Sequence, residues 1–429
     1  QLIRGSYYYH LSRNNRIRVV SIEGQRGRIL DRNGVVLADN RRSLEVVVVP
    51  QELKAQAATF DFLGQALAAD KEKLLKGYEQ KISASFVPVV VAEDVSRNQA
   101  ITIEENKFIF PGLFVQETFR RVYPYGEKTA HVLGYVGKIN RSKIEELKNY
   151  GYNSQSVVGY SGVEEFYDRS LKGEEGGMQI EVNSRGEQVR LLGFKEPLKG
   201  QDITLTINVT IQDILTELLE NKPGVIIVME LDSGEILGMA SAPSYDPNLF
   251  VRKTNSMASS LFSDPNSPLL NRAIGGQYPP GSIFKIPVAL CALKERKITP
   301  DSTFHCHGFY RLGDREFRCT HAHGDQDLFQ AIAHSCNVYF YHLALRVGPE
   351  SICRYAKYLG LGRPVGMDLP YEAAGHIPNL QLRKITPRGA WYGGDTLNLS
   401  IGQGEVLATP LQLVEMMAII ALDGKRPHP

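Results

Sequence analysis

The sequence is poor in the features that mark membrane spans, disulfide frameworks and nucleic-acid binding. It contains no run of about eighteen apolar residues, so none of these 429 residues is expected to lie in a transmembrane helix. It has only 5 cysteines, all in the last third of the chain, which is no basis for a disulfide framework. The formal net charge of +2 argues against nucleic acid as a partner.

What the sequence does contain is typical of a folded protein with more than one domain. Its hydrophobic fraction of 43% and charged fraction of 22% are ordinary values for globular proteins. A chain of 429 residues is too long for one small core, so two or more domains are expected. The pattern changes near residue 200, where a hairpin and then mostly helical sequence follow. We therefore expect an α+β fold in which helices of residues 201–429 pack on an antiparallel sheet.

The most informative pair of residues is Ser282 and Lys285, which follow a Pro/Gly turn and open a helix-like run. A serine hydroxyl is a poor nucleophile until a base takes its proton. Residues three apart on a helix lie on one face, so the Lys285 amine can reach Ser282 Oγ. The start of a helix also favours developing negative charge. The spacing therefore predicts an activated serine nucleophile.

A second motif, Ser335-Cys336-Asn337, follows about fifty residues later. Each motif alone is common and carries little information. In this order they are the first two of three elements in the active-site signature of penicillin-binding proteins and serine β-lactamases. The third element, Lys-Thr-Gly on a strand, does not occur in the sequence. We expect it beyond Pro429, so that the second domain is C-terminally incomplete here.

Other segments extend the similarity over essentially the whole chain. They are residues 26–34, 123–124 with 131–137, 159–164, 241–248, and 400–404 with 409–410. Together with the two motifs they resemble class B penicillin-binding proteins, and the elongation-type members of that family most closely. The resemblance implies an elongated, non-catalytic pedestal domain of the dimerisation type at residues 1–200 and a transpeptidase domain at residues 201–429.

The resemblance implies a peptidoglycan D,D-transpeptidase of cell elongation that also binds penicillin. Ser282 would attack the penultimate D-Ala carbonyl of a stem peptide, and an amine of a neighbouring stem peptide would resolve the acyl-enzyme. Lys285 would be the base, and Ser335 would pass the proton to the leaving amine. Asn337 would hold the substrate backbone and the Lys285 amine.

The resemblance also implies partners and a location. The expected ligands are peptidoglycan stem peptides and β-lactams, and the expected protein partner is the membrane-embedded glycosyltransferase of the elongation machinery. The domains would lie in the periplasm, anchored in the inner membrane by a span upstream of Gln1. Residues 1–18 are basic and tyrosine-rich, as expected just outside such a span.

Cysteine and histidine residues crowd the region from residue 305 to residue 336, and two interpretations are open. One is a zinc site, because zinc takes four Cys or His ligands. The other is a Cys306–Cys319 disulfide with surface histidines, which suits an oxidising periplasm. By position, the resemblance implies Cys306, Cys319, His323 and Cys336 as structural zinc ligands and no organic cofactor. We favour the metal, because three cysteines and one histidine match a closed Cys₃His site.

Three rival functions follow from the same motifs. A division-specific transpeptidase of the same class is disfavoured by the Cys/His region. A serine β-lactamase or D,D-carboxypeptidase is disfavoured by the long N-terminal half, which such hydrolases do not need. A non-catalytic β-lactam sensor or scaffold stays open, and release of D-Ala from a stem-peptide mimic would distinguish an enzyme from a sensor.

Overall fold

The computed structural model describes residues 17–82, 87–152, 156–182, 188–251, 256–383, 385 and 389–428. Most of the basic segment at residues 1–18, which motivates the expected membrane anchor, lies outside these ranges. In the part of the chain that the structure describes, no helix combines the length and the apolar character that crossing a bilayer requires.

The strands fall into several small sheets. They are β1 Ile17–Ile22, β2 Ile29–Leu30, β3 Val36–Val48, β4 Val89–Ala92, β5 Leu113–Val122, β6 Val136–Lys138, β7 Val157–Gly159, β8 Gly176–Val182, β9 Gln188–Lys195, β10 Ile203–Thr204, β11 Gly224–Met229, β12 Ile236–Ala242, β13 Phe304–Cys306, β14 Phe309–Leu312, β15 Arg315–Arg318 and β16 Gly324–Gln326.

The α-helices concentrate in the second half. They are α1 Gln56–Leu67, α2 Lys71–Lys81, α3 Arg97–Asn106, α4 Ala130–Leu133, α5 Arg141–Leu147, α6 Gly162–Phe166, α7 Asp168–Leu171, α8 Val209–Leu218, α9 Asn248–Val251, α10 Ser256–Leu261, α11 Lys285–Lys294, α12 Leu328–Ala333, α13 Asn337–Val347, α14 Pro349–Tyr358, α15 Leu380–Arg383, α16 Gly393–Ser400 and α17 Pro410–Ala421.

The N-terminal part is organised around the long strand β3. It pairs with β5 along most of its length, with β2 near its start and with β4 near its end. The β2–β3 hairpin turns at Gly34, whose φ of +83° is one that glycine adopts readily. Strand β10 adds a short parallel pairing to β2, so residues just after 200 still join this sheet. The domain boundary near residue 200 stays a prediction.

The second half has the expected α+β arrangement. Strands β11 and β12 form an antiparallel hairpin, with α8 packed on β12 and α17 on β11. Helix α13 forms the centre of the helical core and packs against α11, α14 and α16. Its Tyr339 and Phe340 side chains are fully buried. This core carries the two motif-bearing segments, because α11 follows Ser282 and α13 begins at Asn337.

Residues 327–347 do not form one continuous helix. Helix α12 ends at Ala333 and α13 starts at Asn337, with Ser335 between them at a φ of +51°. Ser282 likewise lies in a 3₁₀ turn, Gly281–Phe284, and the α-helix begins only at Lys285. Both motif serines therefore sit at helix ends, where backbone and side chain can face the same cavity.

Candidate active site and metal centre

The turn that carries Ser282 packs against the backbone of residues 400–404, which contain two glycines. Gly281 adopts a φ of +62° and donates its N–H to the Gly402 carbonyl at 3.0 Å. A Cβ on Gly402 would stand 2.2 Å from the Gly281 carbonyl oxygen, so only glycine permits this approach. Residues 400–404 therefore fix the position of the turn that carries Ser282. The Ser282 residue itself remains exposed.

The Lys285 amine is the centre of the site. Its Nζ lies 3.3 Å from Ser282 Oγ, 2.8 Å from Ser335 Oγ, 2.7 Å from the Ser335 carbonyl oxygen and 2.7 Å from Asn337 Oδ1. Ser335 Oγ also donates to Ser282 Oγ at 3.0 Å. The structure thus brings together the four residues that the sequence nominated for catalysis.

The hydrogen-bonding groups around Lys285 Nζ determine the direction of its lone pair. The Ser335 carbonyl and Asn337 Oδ1 can only accept hydrogen bonds, so they take two amine hydrogens. Asn337 Nδ2 donates to the Arg318 carbonyl at 3.3 Å, which agrees with this orientation of its amide. A neutral Lys285 amine then has its lone pair left for the Ser282 hydroxyl, because the Ser335 hydroxyl donates its hydrogen to Ser282 Oγ. The surroundings therefore prepare a base.

Burial makes that base available near neutral pH. Lys285 is only 3% exposed. Burial lowers the pKa of Lys285 to about 8, although negative charge on the nearby Cys319 and Cys336 sulfurs acts in the opposite direction. A substantial fraction of the amine is thus uncharged at mildly alkaline pH, as a general base requires.

Ser335 occupies an unusual backbone position that explains its two contacts with Lys285. The Ser335 N–H bonds to the Ile332 carbonyl at 3.1 Å, and the Cys336 N–H bonds to the Ala331 carbonyl at 2.9 Å. These two bonds are the Schellman ending of helix α12, in which Ser335 takes the left-handed position usually held by glycine. This conformation turns both the carbonyl and the hydroxyl of Ser335 toward the Lys285 amine.

The four residues expected to bind metal also lie together. One ligand atom from each of Cys306, Cys319, His323 and Cys336 lies within 4.8 Å of all the others. His323 Nδ1 is 3.6 Å from Cys306 Sγ and 3.5 Å from Cys319 Sγ. All three cysteines are free thiols in the structure. Three sulfurs and an imidazole nitrogen are the donor set of a closed zinc site.

The protonation preferences of this cluster differ from one member to the next. Burial raises the pKa of the Cys336 thiol to about 12. Burial also acts to raise the pKa of Cys319, but backbone N–H groups that point at its sulfur outweigh it and lower the pKa below its ordinary value. Burial and neighbouring positive groups lower the pKa of His323, which keeps its imidazole neutral, as a metal ligand must be.

The cluster touches the catalytic residues directly. Cys336 stands between Ser335 and Asn337 in the chain, and the Asn337 N–H donates to Cys319 Sγ at 3.2 Å. Sequence reasoning foresaw the first link, since Cys336 is the middle residue of the motif. It did not foresee the second, nor the support of the Ser282 turn by Gly402, because both join residues far apart in the chain.

Comparison with known proteins agrees with this architecture. Residues 21–205 match the penicillin-binding protein dimerisation domain and residues 224–429 the penicillin-binding protein transpeptidase domain. The peptidoglycan D,D-transpeptidase MrdA of Escherichia coli K12 is 34% identical over 440 residues, covering 100% of this chain and 70% of that protein. MrdA of Haemophilus influenzae is 34% identical over 443 residues, covering 100% of this chain and 68% of that protein.

A solved structure is similar as well. The complex between penicillin-binding protein 2 and MreC from Helicobacter pylori gives a TM-score of 0.85 at 31% identity, covering 96% of this chain and 78% of that one. These identities and coverages show that the chain belongs to the class B penicillin-binding proteins, with both their dimerisation and their transpeptidase domains. It is a serine-type transpeptidase.

Proposed function

We propose that this protein cross-links peptidoglycan stem peptides during cell elongation through an acyl-enzyme on Ser282. The observation that carries the proposal is the Lys285 amine, which lies within 3.3 Å of Ser282 Oγ while two pure acceptors occupy its hydrogens. Its relatives named peptidoglycan D,D-transpeptidase support the choice of reaction.

In the acylation step, Lys285 Nζ takes the proton of Ser282 Oγ as that oxygen attacks the penultimate D-Ala carbonyl carbon. The Ser282 backbone N–H stabilises the negative charge that develops on the carbonyl oxygen. The bond between that carbon and the terminal D-Ala nitrogen then breaks. The proton passes from Lys285 Nζ through Ser335 Oγ, 2.8 Å away, to the leaving nitrogen.

In the transfer step the same groups work in reverse. An amine of a neighbouring stem peptide attacks the ester carbonyl of the acyl-enzyme, and its proton moves through Ser335 to Lys285. The bond between the carbonyl carbon and Ser282 Oγ breaks, and Ser282 Oγ regains a proton from Lys285. Through both steps Asn337 Oδ1, 2.7 Å from Lys285 Nζ, holds the Lys285 amine in place. The product is a new peptide cross-link, and the enzyme returns to its starting state.

A labelled penicillin tests the nucleophile, because it acylates the serine that the stem peptide would acylate. In the full-length protein we expect one adduct, on the peptide that contains Ser282, and none in Ser282→Ala. Ser263→Ala, which changes a serine outside both motifs, is the matched control and should be labelled like wild type. A label that persists in Ser282→Ala would refute the assignment, and labelling without D-Ala release from a stem-peptide mimic would favour a sensor.

We further propose that Cys306, Cys319, His323 and Cys336 hold a structural zinc ion. The clustering of their ligand atoms within 4.8 Å supports this assignment. When bound, zinc supplies a rigid tetrahedral connection and no reactive water, since all four positions are taken by the protein. Through Cys336, and through the bond from the Asn337 N–H to Cys319, this connection would fix the second catalytic motif.

Elemental analysis of the purified protein should find one zinc per chain, and Cys336→Ser should lose it. Cys353→Ser is the control, because Cys353 is a buried thiol outside the cluster. Loss of the ion should also slow penicillin acylation, since a shift of catalytic groups by about 1 Å costs on the order of a hundredfold. A metal-free protein with a Cys306–Cys319 disulfide by mass spectrometry would exclude the zinc site.

For location and partners, we propose an inner-membrane anchor upstream of residue 1, with the pedestal at 1–200 and the transpeptidase domain at 201–429 in the periplasm. We also propose that the pedestal meets proteins of the elongation machinery, including a membrane-embedded glycosyltransferase. Two solved structures support this proposal. One is the Helicobacter pylori relative in complex with MreC. The other is a chain of a peptidoglycan synthase complex, which gives a TM-score of 0.72 at 31% identity over 98% of this chain and 74% of that one.

Cell fractionation tests the location. The full-length protein should stay with the inner membrane at high salt and be degraded by protease added to spheroplasts. A protein released in soluble form by osmotic shock would contradict the anchor. Co-purification of the glycosyltransferase with the full-length protein, and its absence when residues 17–200 are deleted, would support the partner assignment.

A further inference from the structure

Gln326 is a buried amide that joins the metal cluster to the residue before Ser335. It is the last residue of β16 and only 4% exposed. Its Nε2 donates to the carbonyl oxygens of His323 at 3.0 Å and Asp325 at 2.8 Å. Its Oε1 lies 2.7 Å from His334 Nδ1. One side chain thus contacts both the loop of a candidate metal ligand and the segment that enters the second catalytic motif.

These contacts leave only one arrangement of hydrogens. The atom of Gln326 that faces two carbonyl oxygens must be the NH₂ group, because a carbonyl accepts but does not donate. The opposite atom is therefore the amide oxygen, which can only accept. Consequently His334 carries its hydrogen on Nδ1 and donates it to Gln326. The hydrogen-bond partners of Gln326 therefore identify Nδ1 as the protonated nitrogen of His334.

His334 is the residue from which the left-handed turn begins. Its backbone N–H bonds to the Gln330 carbonyl at 2.8 Å and closes helix α12. The next residue, Ser335, has a φ of +51°, a backbone conformation that non-glycine residues rarely adopt. Such a conformation persists only where its surroundings hold it. The His334 ring, fixed by Gln326 and stacked on His323 at 5.8 Å, holds the residue next to it.

We propose that Gln326 is a positioning residue that, through the Nδ1–H of His334, holds Ser335 in the left-handed conformation that acylation of Ser282 needs. The inference rests on the proposed acylation of Ser282. In this arrangement Gln326 touches no reacting atom. It keeps the Ser335 carbonyl and hydroxyl directed at the Lys285 amine, and without it the segment relaxes toward an unstrained turn.

Two variants of nearly the same shape isolate the hydrogen bond. His334→Asn places an amide N–H near the position of imidazole Nδ1, whereas His334→Leu fills similar space without a donor. His334 is exposed, so neither change opens a cavity. In the full-length protein we expect His334→Leu to lower the acylation rate constant for a fluorescent penicillin roughly ten- to a hundredfold, the cost of about a 1 Å misplacement. His334→Asn should retain most of the wild-type rate.

The readouts separate positioning from general damage. The dissociation constant of the non-covalent penicillin complex and the zinc content should stay unchanged in both variants, while the acylation step slows in His334→Leu. The melting temperature should stay unchanged in His334→Asn and fall in His334→Leu only by the loss of one hydrogen bond. Gln326→Met should slow the same step. Equal rates in the Asn and Leu variants, whether both fast or both slow, would overturn the inference. Failure of the wild-type protein to be acylated at Ser282 would instead overturn the proposed function, and this inference with it.

Discussion

Two buried polar networks in this protein differ in how their charges are balanced. In the N-terminal part, Glu164 is fully buried and accepts from Arg26 Nε at 2.7 Å and from Arg121 Nε at 2.6 Å. In the active site, Lys285 is 3% exposed, and its four close partners are oxygens of uncharged groups on Ser282, Ser335 and Asn337. The first network pairs opposite charges, and the second surrounds one cation with neutral acceptors.

The pKa shifts follow this difference. Burial acts to raise the pKa of Glu164, but the Arg121 and Arg26 guanidinium groups outweigh it and lower the pKa, so the carboxylate stays ionised. Burial lowers the pKa of Lys285 to about 8, because it outweighs the opposing negative charge on the Cys319 and Cys336 sulfurs. A buried group whose counter-charge outweighs the effect of burial stays in its charged form, whereas a group for which burial outweighs nearby opposite charge can exchange a proton near neutral pH. The first suits structure and the second suits catalysis.

Removal of the catalytic amine should give the largest effect. Lys285→Met keeps the length of the side chain but removes the base, so penicillin acylation of the full-length protein should fall roughly 10²–10⁴-fold. The free energy of unfolding should change little, because relief from burying the amine opposes the loss of its hydrogen bonds to Ser335 and Asn337. Stopped-flow fluorescence with a labelled penicillin and urea unfolding measure the two quantities. Acylation that survives this change would remove Lys285 from the role of base.

Removal of the charge at Glu164 should lower the stability of the protein and leave its acylation rate unchanged. Glu164→Gln removes the carboxylate that Arg26 and Arg121 share, and Arg26 then keeps only its ion pair with Asp168. Breaking a buried ion pair in this way costs about 3–5 kcal/mol of stability. The acylation rate of the protein that remains folded should be unchanged. Urea unfolding checks the first expectation, and acylation normalised to active-site titration checks the second. A stable Glu164→Gln protein would show that the ion cluster does not support the fold.

The dependence of the acylation rate on pH should report the pKa of Lys285. Because the neutral amine is the active form, the rate should rise about tenfold per pH unit below the Lys285 pKa and level off above it. With a pKa of about 8, the bend should fall near pH 8. Rates from pH 6 to pH 10 in wild type give the profile, and the residual rate in Lys285→Met should be flat. A bend below pH 6 in wild type would contradict a lysine base.

The sequence alone predicted the local contact of the active-site network. Ser282 and Lys285 are three residues apart at the start of a helix, so their contact follows from helical geometry. The hairpin of β11 and β12 and the following helices were also readable from their apolar periodicity. The break at Ser335 was not, since the left-handed position of a Schellman ending is normally marked by glycine and a serine gives no signal.

Long-range pairing was beyond the reach of sequence reasoning. Arg26 and Glu164 were each noticed in separate motifs, but they are 138 residues apart and nothing local indicates that they meet. The same holds for Gly402 beneath Gly281. Gln326 carries no motif at all, and its importance depends on three hydrogen bonds that only the folded chain defines. Such contacts are set by tertiary packing and not by local preference.

The smallest predicted effect tests whether charge, and not hydrogen bonding in general, stabilises the N-terminal network. Tyr152 donates its hydroxyl to Asp168 Oδ2 at 2.5 Å, and Asp168 also binds Arg26 Nη2 at 2.8 Å and the Gly159 N–H at 2.9 Å. In Tyr152→Phe the carboxylate keeps these other partners and the ring stays in place. The free energy of unfolding should therefore fall by only about 1 kcal/mol, the net contribution of one hydrogen bond. Tyr150→Phe, at a half-exposed tyrosine, should change it less, and urea unfolding measures both. A loss in Tyr152→Phe as large as that in Glu164→Gln would show that charge balance is not what distinguishes the two networks.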